Sequence, residues 1–160
     1  MTDKNTAAAM AALNEARGAL AKLPVLGPAL WLYARDPMKK YLFMGDIDWV
    51  LLPPVVLDQC RLYTKDELPC AFFTWARVND QIDARLRTAH AKLAPHEWNC
   101  GNHIWIIDAV APFGQLEDTL TELRDTLFPG QKVSALLPDP SNAGALKVYE
   151  WPASQPPSSH

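Results

Sequence analysis

Four leucines, at positions 116, 120, 123 and 127, recur at steps of four, three and four. That spacing lines one side of QLEDTLTELRDTLFP (115–129) with apolar side chains and predicts a helix, which Gly130 is placed to stop. The same period, carried by Ile82, Leu86 and Ala89 or Leu93, predicts a helix over 81–93. Between these two the pattern is that of strands. DQCRLYT (58–64) and CAFFTWARV (70–78), separated by DELP (66–69), read as a hairpin. GNHIWIID (101–108) is the next strand, and KVSALLPD (132–139) and ALKVYEW (145–151) are two more, joined by a polar PDPSNAG turn.

The N-terminal third is more helical. Residues 6–22 are Ala-rich, with strong helix propensity and little bulky apolar surface, so they predict a helix that docks lightly or wanders. Pro24 and the Gly27-Pro28 pair punctuate the chain. ALWLYARD (29–36) then predicts a short amphipathic helix anchored by Leu30, Trp31 and Tyr33 and closed by Pro37. The double proline at 53–54 forbids a central strand and suits a short helix start or a loop. No internal repeat or linker interrupts the pattern. The fold class is α+β, with helices packed on a mixed, mainly antiparallel sheet. The division expected is an N-terminal helical extension over 1–24, one domain over 25–152 and a disordered tail over 153–160.

Composition narrows the function classes. A chain of 160 residues suits one well-packed domain. A net charge of −3 gives no bulk attraction to nucleic acid. Cys60, Cys70 and Cys100 form neither a disulfide framework nor a zinc spacing, and no metal site is expected. The start MTDKNT lacks the charge and apolar core of a secretory signal, and no apolar run reaches the length of a membrane span. The expected location is the cytoplasm.

The usual catalytic signatures are absent: no HExxH, no GxSxG, no phosphate-binding glycine loop. What stands out is Asp108, a carboxylate at the end of an apolar strand. Strict alternation puts Ile104, Ile106 and Asp108 on one face and His103, Trp105 and Ile107 on the other. Asp108 then either accepts backbone N–H bonds in the following turn or sits at the lip of a pocket, orienting a base. His103, on the other face, reads as a structural or surface histidine.

Several segments in order carry a resemblance: WLYARDPMKK (31–40), LLPPVVLDQCRLYTKDELPCAFFTWARVN (51–79), WNCGNHIWIIDAVAPFG (98–114) and LRDTLFPG (123–130). Together they resemble the RTX toxin-activating lysine acyltransferases, the hemolysin-activator family, over roughly residues 25–150. The resemblance implies a GNAT-like fold and transfer of a fatty acyl chain from acyl carrier protein to internal lysines of an RTX-type protoxin. It implies acyl carrier protein as the co-substrate that brings the chain, and no bound cofactor. It also implies a homodimer as a possible state. Asp108 falls on the family's catalytic aspartate. The family's second essential residue is a histidine in a motif of the type W-x-x-A-S-x-P-x-H. Aligning on Trp31, Ala34 and Pro37 puts Lys39 at the histidine position.

Acyl transfer to lysine needs a neutral amine, because an ammonium has no lone pair. Histidine suits the removal of that proton. Lys39 has three readings: a base of lowered pKa, a cation that holds donor phosphate or a developing oxyanion, or the mark of a protein that binds without catalysing. Arg35, Lys39 and Lys40 form one compact basic cluster, either a solvated helix end or a landing point for the acyl donor. Trp31, Trp49, Trp75 and Trp105 are large apolar surfaces able to line an acyl groove, although such residues are usually core. Two other functions stay open beside acyl transfer to a protoxin: a non-catalytic holder of acyl carrier protein or a toxin partner, and a GNAT-like enzyme using acyl-CoA and a small amine.

Overall fold

The computed structural model describes residues 3–21, 23–88, 92–142 and 144–153. Two helices open the chain, α1 (Asp3–Ala21) and α2 (Leu23–Tyr33), followed by 3₁₀ turns at Lys39–Tyr41 and Met44–Asp46. Short helices α3 (Ile47–Val50) and α4 (Leu52–Val56) lead into the hairpin of β1 (Cys60–Lys65) and β2 (Leu68–Val78). Then come α5 (Asp80–Leu86), β3 (His103–Val110), α6 (Leu116–Leu127), β4 (Val133–Pro138) and β5 (Leu146–Trp151). The strands form one five-stranded sheet in the order β1-β2-β3-β4-β5. Every neighbouring pair is antiparallel except β3 with β4, which the α6 crossover makes parallel. This is the α+β architecture the hydrophobic pattern predicts, and it is consistent with a GNAT-like fold.

Helices cover both faces of the sheet. Phe73 and Trp75 of β2, Ile104 and Ile106 of β3, and Val133 and Ala135 of β4 pack under Leu120 and Leu123 of α6. On the opposite face, Phe72 and Val110 meet Ala29, Leu32 and Tyr33 of α2 together with Val50, Leu51 and Val55. Further along that face, Ala76, Val78 and Trp105 pack with Ile82 and Leu86 of α5. The double proline lies inside α4, where the first turn tolerates missing N–H groups.

Several boundaries differ from the sequence pattern, each for a local reason. Helix α2 starts at Leu23 and takes in Pro28, because the carbonyl left unserved is that of the exposed Pro24. It ends at Tyr33, ahead of Pro37, and its anchors are Ala29, Leu32 and Tyr33; Leu30 and Trp31 stay 41% and 38% exposed. Helix α5 is capped by the Asn79 side chain and stops at Leu86, so Leu93 reaches the core from outside it. Ala89, His90 and the tail beyond Ala153 lie outside the described residues. The hairpin turn is only Asp66 and Glu67, both left-handed at φ 53° and 66°, the pattern of a tight type I′ connection. Leu68 and Pro69 join β2, and a bulge at Cys70 accommodates the proline.

Candidate functional site

The site is built on an irregularity of β3. Thr74 pairs with Asp108 and Trp75 with Ile106, so Ile107 has no partner and forms a bulge. This corrects two expectations from strict alternation. The strand does not end at Asp108, since Ala109 and Val110 continue to pair with Phe73 and Phe72. Asp108 also does not share a face with Ile104 and Ile106. One extra residue flips the side-chain phase, so Asp108 emerges beside Thr74 on the face covered by α2. The parallel ladder to β4 likewise stops at Ile106–Ala135, just before the bulge.

Asp108 is 2% exposed, and a lone buried carboxylate would be costly. Two neighbours meet that demand. The Tyr33 hydroxyl donates to Oδ2 at 2.8 Å, and the Lys39 ammonium pairs with Oδ1 at 2.5 Å. The Asp108 backbone N–H donates to the buried Thr74 hydroxyl at 3.1 Å, tying down the bulge. Burial, then the charge of Asp108 and the hydrogen bond to it, push the Tyr33 phenol well above a tyrosine's ordinary range. Tyr33 is thus a fixed donor. Lys39 is the solvent-accessible partner, with its side chain 35% exposed.

A turn sets the position of Lys39. The Asp36 carboxylate accepts the backbone N–H groups of Met38 and Lys39, each at 2.9 Å, and folds the chain back after α2. Asp36 is therefore spent on the backbone. Beside Lys39 opens a cleft of about 170 Å³, lined by Tyr33, Lys40 and mostly apolar side chains from Leu30 to Leu51. Phe43 and Met44, two of its lining residues, are 80% and 82% exposed. Such a cleft suits an aliphatic chain, with Lys39 as a polar point in its wall.

Of the residues singled out in the sequence, Asp108, Lys39 and Lys40 come together here. Arg35 turns away: its guanidinium stacks 3.7 Å above the Trp31 ring and donates to the Trp31 carbonyl. None of the tryptophans lines the cleft; Trp75 and Trp105 are core. His103, at the start of β3, is exposed and bonded to Asp80. Among the described residues no cluster of histidine, cysteine and carboxylates could hold a metal ion, and no helix is long and apolar enough to cross a membrane. Pattern reading missed the polar roles of Tyr33 and Thr74. Tyr33 reads as an apolar anchor, and nothing in the local sequence brings Thr74 opposite Asp108.

The RTX toxin acyltransferase family model matches residues 19–152. The chain is 36% identical to the RTX-II toxin-activating lysine-acyltransferase ApxIIC of Actinobacillus pleuropneumoniae, over 78% of this chain and 77% of that protein. It is 28% identical to the protein-lysine myristoyltransferase HlyC of Escherichia coli, over 74% of this chain and 69% of that one. An uncharacterized protein of Synechocystis, sll0720, is 33% identical over 81% of this chain and 89% of its own length. A match over most of the chain, to a family of acyltransferases, fixes the assignment: this chain belongs to the RTX toxin acyltransferase family.

Proposed function

We propose that the chain takes a fatty acyl group from acyl carrier protein and attaches it to lysine ε-amines of an RTX-type protoxin in the cytoplasm. The observation that carries this reading is the Lys39–Asp108 pair, whose lysine lines an apolar cleft. The acyl chain lies in the cleft, and its thioester carbonyl comes to the pair. Asp108 orients the incoming amine, and Lys39, standing at the histidine position of the family motif, acts as a cation that stabilises the developing oxyanion. Lys40 steers the donor's phosphate. The acceptor's proton passes to water, so positioning and charge supply most of the acceleration.

One observation favours a second reading. Lys39 already occupies Oδ1 of Asp108, as in a protein that holds a partner without catalysing. Intact-mass spectrometry separates the two. The protein is mixed with a panel of acyl carrier protein thioesters and a lysine-containing toxin fragment, with Lys39→Ala and Asp108→Ala alongside. A mass gain on the fragment that vanishes in Asp108→Ala supports the acyltransferase. Binding of the carrier protein with no gain from any donor supports the holder.

A further inference from the structure

We propose that Lys39 is itself an acyl acceptor, so that the protein acylates its own active site. The inference rests on the acyltransferase reading of the same site. An enzyme that modifies lysine ε-amines here presents one of its own, 2.5 Å from Asp108 and lining the apolar cleft. Its side chain is 35% exposed, so a thioester can reach it, and the Asp36 turn holds its backbone in place. Lys40, the next residue, is exposed, and its ammonium lies 5.1 Å from the Tyr41 ring. The two lysines differ in one respect that matters for chemistry: only Lys39 is held against the buried carboxylate.

The step balances without a further reactant. The Lys39 ammonium gives one proton to Asp108, and the freed amine attacks the thioester carbonyl. Collapse breaks the C–S bond and forms the C–N bond. The second nitrogen proton leaves with the thiolate as free carrier thiol, and Asp108 returns its proton to water. The product is an amide, which does not pass the chain on. It removes the cation opposite Asp108 and threads the chain into the cleft of about 170 Å³ beside it. Acylation of Lys39 therefore shuts the site, at a rate set by how long a charged donor waits without an acceptor.

The test uses the full chain with acyl carrier protein charged with myristate, with and without a lysine-containing toxin fragment in the same tube. Intact mass and peptide fragmentation follow Lys39, Lys40 and the fragment. The expected result without fragment is one acyl group on Lys39. Lys39→Arg shows none there, because a guanidinium stays protonated. Asp108→Asn slows the gain by about a hundredfold or more, the scale of losing a positioned proton acceptor. Wild-type protein preloaded on Lys39 transfers less to the fragment, in proportion to the fraction loaded. An acylated fragment with unmodified Lys39 overturns the inference and leaves the proposed function standing. Equal gains on Lys39 and Lys40 also overturn it, because that is unassisted chemistry. No gain on fragment or Lys39 overturns both.

Discussion

The Tyr33 hydroxyl and Oδ2 of Asp108 lie 2.8 Å apart, although the residues are 75 positions apart in the chain. Their hydrogen bond joins α2 to the bulge of β3. Tyr33→Phe keeps the ring, which packs edge-on against Phe72 at 6.0 Å, and removes only the hydroxyl. A buried carboxylate oxygen then lacks its donor, a loss of about 1–3 kcal/mol. The expected outcome is a lower urea midpoint at unchanged slope. An unchanged midpoint would show that the bond contributes nothing net.

The same bond predicts an alkaline limit. Burial and the neighbouring carboxylate raise the Tyr33 phenol above its unfolded value. A group raised in the fold stabilises fully below its unfolded pKa, about 10 for tyrosine, and loses that contribution as pH climbs beyond it. The unfolded chain then releases a proton that the folded chain keeps. Wild-type stability should fall above about pH 10 by up to roughly 1.4 kcal/mol per pH unit from this group. Tyr33→Phe lacks that slope, so the stability gap between the two proteins narrows from pH 9 to 11 (roughly the range around a free tyrosine's pKa). A constant gap contradicts the prediction.

Asp108→Asn separates charge from shape. The amide can still accept from Tyr33, and the half-exposed Lys39 can turn to water. The stability loss is expected to stay below the roughly 3–5 kcal/mol seen when a buried pair is broken and one charge is stranded. Transfer to a lysine acceptor is expected to fall about 10²–10⁴-fold, the scale of a lost acid–base or orienting group. Thermal unfolding and initial rates on the same preparation decide it. A folded variant with full activity removes Asp108 from the mechanism.

Gly101 makes a different kind of claim. A Cβ there would lie 2.3 Å from both the carbonyl carbon and oxygen of Val78, where the loop before β3 crosses the end of β2. The backbone N–H groups of Cys100 and Gly101 both donate to the Arg77 carbonyl, so the two segments cannot part cheaply. Gly101→Ala is expected to destabilise by about 1–3 kcal/mol, the usual cost of forcing atoms into a packed site. Chemical denaturation measures it. Wild-type stability would mean the loop yields.

How much of this was legible beforehand divides along physical lines. The leucine period of α6 and the hairpin were readable because each depends on residues close in sequence. So was the mixed α+β class. The resemblance brought Asp108 and Lys39 forward as a pair, and the fold puts them in contact. The face of Asp108 was not readable, because alternation assumes an unbroken strand and one unpaired residue at Ile107 reverses it. Nor was the start of α2, where prolines that usually break a helix fall in its first turns. The cleft escaped entirely: its walls come from the end of α2, the two 3₁₀ turns and α3, whose apolar residues show no single period.

That cleft gives the last prediction. Ala34 follows α2, is exposed, and lines the cleft beside Lys39. Because it is exposed, Ala34→Phe adds a ring to the cleft without displacing the core. If the acyl chain lies there, long chains lose buried length, at about 0.8 kcal/mol or roughly fourfold in rate constant per methylene turned out. Initial rates over a series of acyl carrier protein thioesters should show the optimum moving to shorter chains, with the shortest donors nearly unaffected. A uniform fall across the series would place the ring against the thioester and move the chain elsewhere. An unchanged profile would empty the cleft of its proposed occupant.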